Sequence, residues 1–157
     1  PPITGLNPCP PVSRNMKIGV ISDIHANYYA LEAVLDDMPD VDSLVCLGDM
    51  VGYNPHPRKC VERVREECDL VLRGNHDRNV RNPGKYRHNE MASEGLKHPR
   101  TELTEEQMDW MEGLPDKKDV FETGFLCAHS HPNPDYGTPL LLRGTHLRGC
   151  LRVPSRC

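Results

Sequence analysis

Short solid apolar runs alternate, along the first half of the chain, with segments whose apolar residues recur at every third or fourth position. Residues 16–22 form a solid run rich in Ile and Val, the pattern of a strand buried on both faces of a parallel sheet. Asn27 is placed to cap the helix that follows. Tyr28, Leu31, Val34, Leu35 and Met38 give that helix its apolar stripe, and Pro39 ends it. Residues 43–47 predict a second strand and residues 48–55 a loop. Pro57 suits the first turn of a second helix, whose inner face is Cys60, Val61 and Val64. Residues 69–73 predict a third strand. This order predicts an α/β fold with a parallel sheet covered by helices, in which ligand sites form at the carboxyl ends of the strands.

The second half is less regular. A polar stretch at 78–87 turns at Asn82, Pro83 and Gly84, and residues 88–97 read as a helix. Thr104 and Gln107 form the capping box of another helix, with Leu103 and Met108 as its hydrophobic staple. That helix includes Trp110 and ends near Gly113, Leu114 and Pro115. Residues 119–122 and 125–128 read as two strands joined at Thr123 and Gly124. The chain has no internal repeats, and beyond Pro132, Asn133 and Pro134 no periodic pattern emerges.

Composition narrows the setting. At 157 residues with 37% hydrophobic content the chain suits one domain with a single core. No stretch approaches the roughly 18 apolar residues of a spanning helix, so no membrane partner is expected. Residues 1–15 are rich in proline and lack the apolar segment and basic cluster of a signal peptide. They read as an extension without a fold of its own, upstream of a natural start at Met16. All 23 acidic residues and 14 of the 19 basic ones fall between 16 and 135, a net charge of −9, whereas residues 136–157 hold four arginines and no acid. The acidic body argues against nonspecific nucleic-acid binding. The abrupt change at 136 reads as a truncated or frame-shifted end, which leaves 16–135 as the domain. Seven cysteines without any Cys-x-x-Cys pair argue against a structural zinc knuckle. An odd cysteine count with no secretion signal favours a reducing cytoplasm.

Four strand ends carry candidate chemistry. Asp23 and His25 stand two residues apart, so both side chains reach the same side and one cation. A capping Asp in a polar loop is the competing reading. Asp49 lies between Gly48 and Gly52, glycines that let backbone approach a ligand; a carboxylate there can bridge two cations. Asn75 offers a neutral oxygen ligand, and His76 beside it a proton donor with Asp77 at hand to orient it. His129 and His131 end the last predicted strand. Each segment alone is compatible with an ordinary turn or cap; four together point to a metal site.

With these motifs quoted, Asp-x-His, Gly-Asp-x-x-Gly, Gly-Asn-His-Asp and a later His, residues 16–135 resemble the calcineurin-like metallophosphoesterase superfamily, in particular its small prokaryotic phosphoesterases. The resemblance implies an αββα sandwich of two sheets, here incomplete at the C-terminus. It implies two divalent cations, Mn²⁺ first, with Fe, Zn, Ni or Mg also compatible. Asp23 and His25 would hold the first, Asp49 would bridge, and Asn75 and His129 would hold the second. His76 would serve as general acid or transition-state stabiliser with Asp77 behind it, in hydrolysis of a small phosphate monoester or diester. Protein Ser/Thr phosphatases of the superfamily carry Asp-Arg-Gly after the bridging Asp; here Met50 and Val51 follow Asp49, which discounts protein phosphatase activity. Arg78 is a candidate phosphate contact, and Tyr53, Asn54 and His56 either line the pocket or pack the loop. The family's closing Gly-His-x-His is replaced by Gly144, Thr145 and His146, so His146 is a weak candidate ligand and impaired activity is expected. The second reading, from another class, is a noncatalytic metal- or phosphate-binding remnant.

Overall fold

The computed structural model describes residues 16–85, 90–120, 125–130 and 140–143. Strand β1 (Ile18–Ile21), β2 (Ser43–Cys46) and β3 (Leu70–Val71) form a parallel sheet in that order, with β2 central. Ile21 pairs with Cys46, and Cys46 with Val71. Helix α1 (Tyr28–Asp37) crosses from β1 to β2, and α2 (Pro57–Glu67) from β2 to β3. Asn27 caps α1 through the Ala30 N–H at 3.2 Å, and α1 stops at Asp37, two residues before Pro39. The three strands are shorter than the apolar runs that announced them, because the ends of each run pass into the loops that carry the polar motifs.

The central strands show why their runs are solid. Leu44, Cys46 and Val71 join one buried cluster with Leu31 of α1 and Cys60, Val61 and Val64 of α2. Val45, Leu47, Leu70 and Leu72 point the other way into a second cluster with Cys127. Side chains alternate across a strand, so a sheet covered on both faces requires apolar residues at both parities. Edge strand β1 differs: Ile21 is buried, whereas Val20 on the opposite face stays 40% exposed.

Beyond β3 come α3 (Asn75–Asn79), a 3₁₀ turn at Pro83–Lys85, α4 (Glu90–Glu102) and α5 (Glu105–Glu112). Thr104 and Gln107 form the expected reciprocal cap of α5, at 3.2 and 3.0 Å. Helix α4 runs five residues past its expected end at 97. Pro99 lies inside it, buried, and its carbonyl accepts the Leu103 N–H at 3.0 Å. Sequence reading stops a helix before a proline; here burial of the residue offsets the lost backbone bond.

A second, antiparallel sheet follows: β4 (Lys117–Val120), β5 (Phe125–Ala128) and β6 (Leu140–Arg143), in that order. Two expectations change. Strand β4 begins two residues early, at Lys117, because lysines on an edge strand read as loop although they protect such an edge. Strand β6 lies where no pattern was found, Leu140 pairing with Ala128 and Arg143 with Phe125. Its run is too short to show a period, and only its partner β5 reveals it. Cys127 of β5 meets Leu47 and Leu72, so the two sheets pack face to face. Among the described residues the layers are helices, parallel sheet, antiparallel sheet, three of the four layers of an αββα sandwich. Residues 1–15, His131, His146 and most of the arginine tail lie outside the described residues.

Candidate metal centre

Four loops leave the carboxyl ends of β1, β2, β3 and β5 and meet. Backbone bonds join the first two: Asp23 N–H donates to Gly48 O, His25 N–H to Asp49 O and Ala26 N–H to Met50 O, at 3.0, 2.9 and 2.8 Å. Asn54 donates to His25 O from its backbone (3.2 Å) and from its side chain (2.9 Å). Among the described residues the non-glycine residues with left-handed backbone are Asp23, His25, Ala26, Asp49 and Tyr53, with φ from +48° to +59°. All belong to these two loops. Such conformations cost on the order of 1 kcal/mol or more each and persist where surrounding contacts enforce them, commonly at functional sites.

The second and third loops interlock. A Cβ on Gly48 would overlap the backbone of Gly74, and one on Gly74 would overlap the Asp49 carboxylate. Gly48 also sits at φ +104°, a region glycine alone enters freely. The fully buried Asp77 carboxylate binds across this junction, accepting the N–H groups of Gly74, Asp49 and Met50 at 2.9, 2.8 and 2.9 Å. Burial and the neighbouring charge of Asp49 push Asp77 up to about 7, against the pull of the Gly74 and Asp49 N–H donors. Asp77 was expected behind the His76 imidazole; its oxygens are engaged by loop backbone, which sets the position of Asp49 and its loop.

Around Asp49 the side chains converge, although the groups they form pair His25 with His76 and Asp23 with His129 rather than Asp23 with His25. Its Oδ1 accepts the His76 N–H at 2.8 Å, and its Oδ2 lies 3.9 Å from His25 Nε2 and 3.4 Å from His129 Nε2. Two groups of ligand atoms each fit within 4.8 Å: His25, Asp49 and His76, and Asp23, Asp49 and His129. Asp49 is common to both. Asp23 Oδ1 is 3.7 Å from His25 Nε2, and Asn75 Oδ1 is 3.0 Å from His129 Nε2.

The imidazole contacts bear on what these atoms could hold. His25 Nδ1 faces Val51 O at 3.3 Å and His129 Nδ1 faces Leu47 O at 3.0 Å. A carbonyl only accepts, so Nδ1 carries the proton and each Nε2 is turned toward the oxygens with its lone pair. That is the arrangement of metal-bound histidine, whose far nitrogen is oriented by a backbone carbonyl. For His129 the consequence is sharp: both ring nitrogens face oxygen acceptors. Burial opposes the imidazolium, but Asp49 outweighs it and the His129 pKa is raised. Burial likewise would raise Asp49, yet His129 and the His76 N–H hold it below its ordinary value. A divalent cation between these groups would meet the same electrostatic demand, so the residues present fit such an ion. Hard oxygens mixed with imidazole suit Mn²⁺ and its neighbours among divalent metals.

His76 is 3% exposed, and its ring lies 4.7 Å from that of His25. Burial lowers its pKa, with Asp49 acting in opposition. Tyr53 completes a group of three rings, 4.9 Å from both imidazoles. Asn54 packs the loop, as its bonds to His25 show. His56 stands outside the centre, preceding α2, 5.4 Å ring to ring from Tyr29. Arg78, the expected phosphate contact, is ion-paired with Asp116 at 2.7 Å. The carbonyls of Leu47 and Val51 escaped sequence reading, since any residue supplies one and only the fold aims it.

The calcineurin-like phosphoesterase family matches residues 16–148. The uncharacterized protein MJ0912 of Methanocaldococcus jannaschii is 34% identical over 122 residues, 76% of this chain and 50% of that protein. The crystal structure of a metallophosphoesterase from Sphaerobacter thermophilus is similar with a TM-score of 0.66 and 34% identity, over 81% of this chain and 52% of that one. The hypothetical protein PH1004 from Pyrococcus horikoshii OT3 shares the fold, with a TM-score of 0.52 and 18% identity over 65% of this chain and 49% of that one. The chain thus spans about half the length of the relatives it matches.

Proposed function

The chain belongs to the calcineurin-like phosphoesterase family, and from that premise we propose that it is a metal-dependent phosphoesterase acting on small phosphate monoesters or diesters. The observation that carries the reading is the aim of the two imidazoles. His25 and His129 each give Nδ1 to a backbone carbonyl and present Nε2 to the one carboxylate, Asp49, that both candidate ligand groups share. Asp23, His25, Asp49, Asn75 and His129 would hold two divalent cations, Mn²⁺ being the expected ion, with Asp49 between them. When bound, such a pair supplies activation of water and stabilisation of charge on the phosphoryl group.

The rest falls to the chain's own side chains. Asp77 and the Gly48–Gly74 contact hold the Asp49 carboxylate in place before any substrate arrives. Burial lowers the pKa of His76, and a nearby cation shifts it in the same direction. In the proposed reaction it therefore gives a hydrogen bond to a phosphoryl or leaving-group oxygen as charge develops there. That favours the transition-state stabiliser over the general acid among its two expected roles. Removing one such donor costs about 10²- to 10³-fold in kcat.

The test is turnover of bis-p-nitrophenyl phosphate and p-nitrophenyl phosphate with Mn²⁺, for the parent chain, Asp49→Asn and His76→Ala. Mn²⁺-dependent turnover lost in Asp49→Asn and reduced at least a hundredfold in His76→Ala supports the proposal. Mn²⁺ binding without turnover of either ester supports the noncatalytic alternative. Turnover indifferent to chelation refutes both.

A further inference from the structure

Tyr53 is a large side chain in an expensive place. Its backbone sits at φ +54°, and the residue is 46% exposed. It meets the His25 ring edge-on, 4.9 Å between centroids at 67°, and the His76 ring at 4.9 Å and 53°. His25 and His76 are themselves edge-on at 4.7 Å. The three rings close a triangle in which each imidazole packs against the other and against the Tyr53 ring. Edge-to-face geometry of this kind is attractive as well as steric.

Something must hold Tyr53 in turn, and helix α4 does so. Gly95 faces it so closely that a Cβ there would stand 3.1 Å from the Tyr53 ring and 3.2 Å from its backbone nitrogen. One turn further along, His98 Nε2 lies 3.2 Å from Pro55 O in the same loop. A glycine inside a helix is a poor choice for the helix, by about 1 kcal/mol against alanine. Here it leaves the space Tyr53 occupies.

We propose that Tyr53 is a positioning residue of the metal centre, its ring fixing the imidazoles of His25 and His76, and that α4 sets Tyr53 through the gap at Gly95. The proposal rests on the phosphoesterase reading only in assigning a cation to His25; the packing of the three rings is independent of it.

The variants are Tyr53→Ala, Tyr53→Phe and Gly95→Ala, the last leaving Tyr53 in the chain and improving the helix propensity of α4. Two readouts are taken from each: Mn²⁺ affinity by calorimetry, and the imidazole resonances of His25, His76 and His129 in the metal-free protein by NMR. Tyr53→Ala and Gly95→Ala should each weaken Mn²⁺ binding about tenfold or more, the lower range for loss of a group that orients a ligand. Both should shift the His25 and His76 resonances and leave His129 in place. Tyr53→Phe keeps the ring and should restore affinity to within about threefold of the parent chain. Parent-like affinity and unshifted resonances in both Tyr53→Ala and Gly95→Ala would overturn the proposal. If the parent chain binds no Mn²⁺, the phosphoesterase reading fails, and the resonances alone then decide the role of Tyr53.

Discussion

Replacing Asp77 by alanine separates two roles that its place in the sequence confuses. A residue that only tuned the His76 imidazole could be lost with little effect on folding. In the structure the carboxylate instead accepts the Gly74, Asp49 and Met50 N–H groups at 2.8–2.9 Å, in a site with no exposure to solvent. Asp77→Ala leaves these three buried donors, and the more distant Val51 N–H at 3.4 Å, without that acceptor. Each such loss costs about 1–3 kcal/mol, and a water admitted to the vacated space would keep the figure near the lower end. Three losses at about 1 kcal/mol give roughly 3 kcal/mol, a large share of the 5–15 kcal/mol typical of a domain. Urea unfolding followed by circular dichroism, in EDTA so that cation binding plays no part, reads this directly. With a slope of about 1–3 kcal/mol/M the midpoint should fall by about 1–3 M. An Asp77→Ala midpoint displaced by less than about 0.3 M, with turnover lost, would show that the loop-binding role is wrong.

The same carboxylate carries a pH signature. Its folded pKa, about 7, lies above the ordinary 3.8, so between those values the folded protein keeps a proton that unfolding releases. Stability then falls as pH rises through that window. Metal-free unfolding at pH 5 and pH 7.5 should show the parent chain losing stability relative to Asp77→Asn on going to the higher pH; the opposite trend contradicts the assignment. Gly48→Ala combines a left-handed backbone at φ +104° with overlap on Gly74. It should lose at least about 2 kcal/mol by urea unfolding, the left-handed penalty alone accounting for about 1–2 kcal/mol. A Gly48→Ala protein as stable as the parent would mean that the second and third loops do not interlock.

Much of this arrangement was legible in the sequence because its causes are local. The solid runs around Val45 and Leu70 betray a sheet covered on both faces, Asn27 betrays a helix start by its single cap bond, and Thr104 and Gln107 betray another by a reciprocal pair. The candidate ligands Asp23, His25, Asp49 and Asn75 were visible for the same reason: each follows a strand, and strand ends of a parallel sheet meet; His129 instead follows β5 of the antiparallel sheet. What stayed hidden depends on partners distant along the chain. Strand β6 exists through its pairing with β5. Asp77 bonds to loop backbone more than twenty residues away, and nothing in Asn-His-Asp tells whether the carboxylate turns toward an imidazole or toward N–H groups. Pro99 reads as a helix stop until its burial is known. Gly95 looks like a weak point of α4 until Tyr53 is seen against it.

Whether Asp49 joins two cations can be read from electron paramagnetic resonance of the Mn²⁺-loaded chain with metal counted per chain. Two Mn²⁺ per chain and an exchange-coupled signal, replaced in Asp49→Asn by the spectrum of isolated ions or by none, is the expected result. One uncoupled Mn²⁺ per chain, bound equally well by Asp49→Asn, would contradict the shared-carboxylate centre.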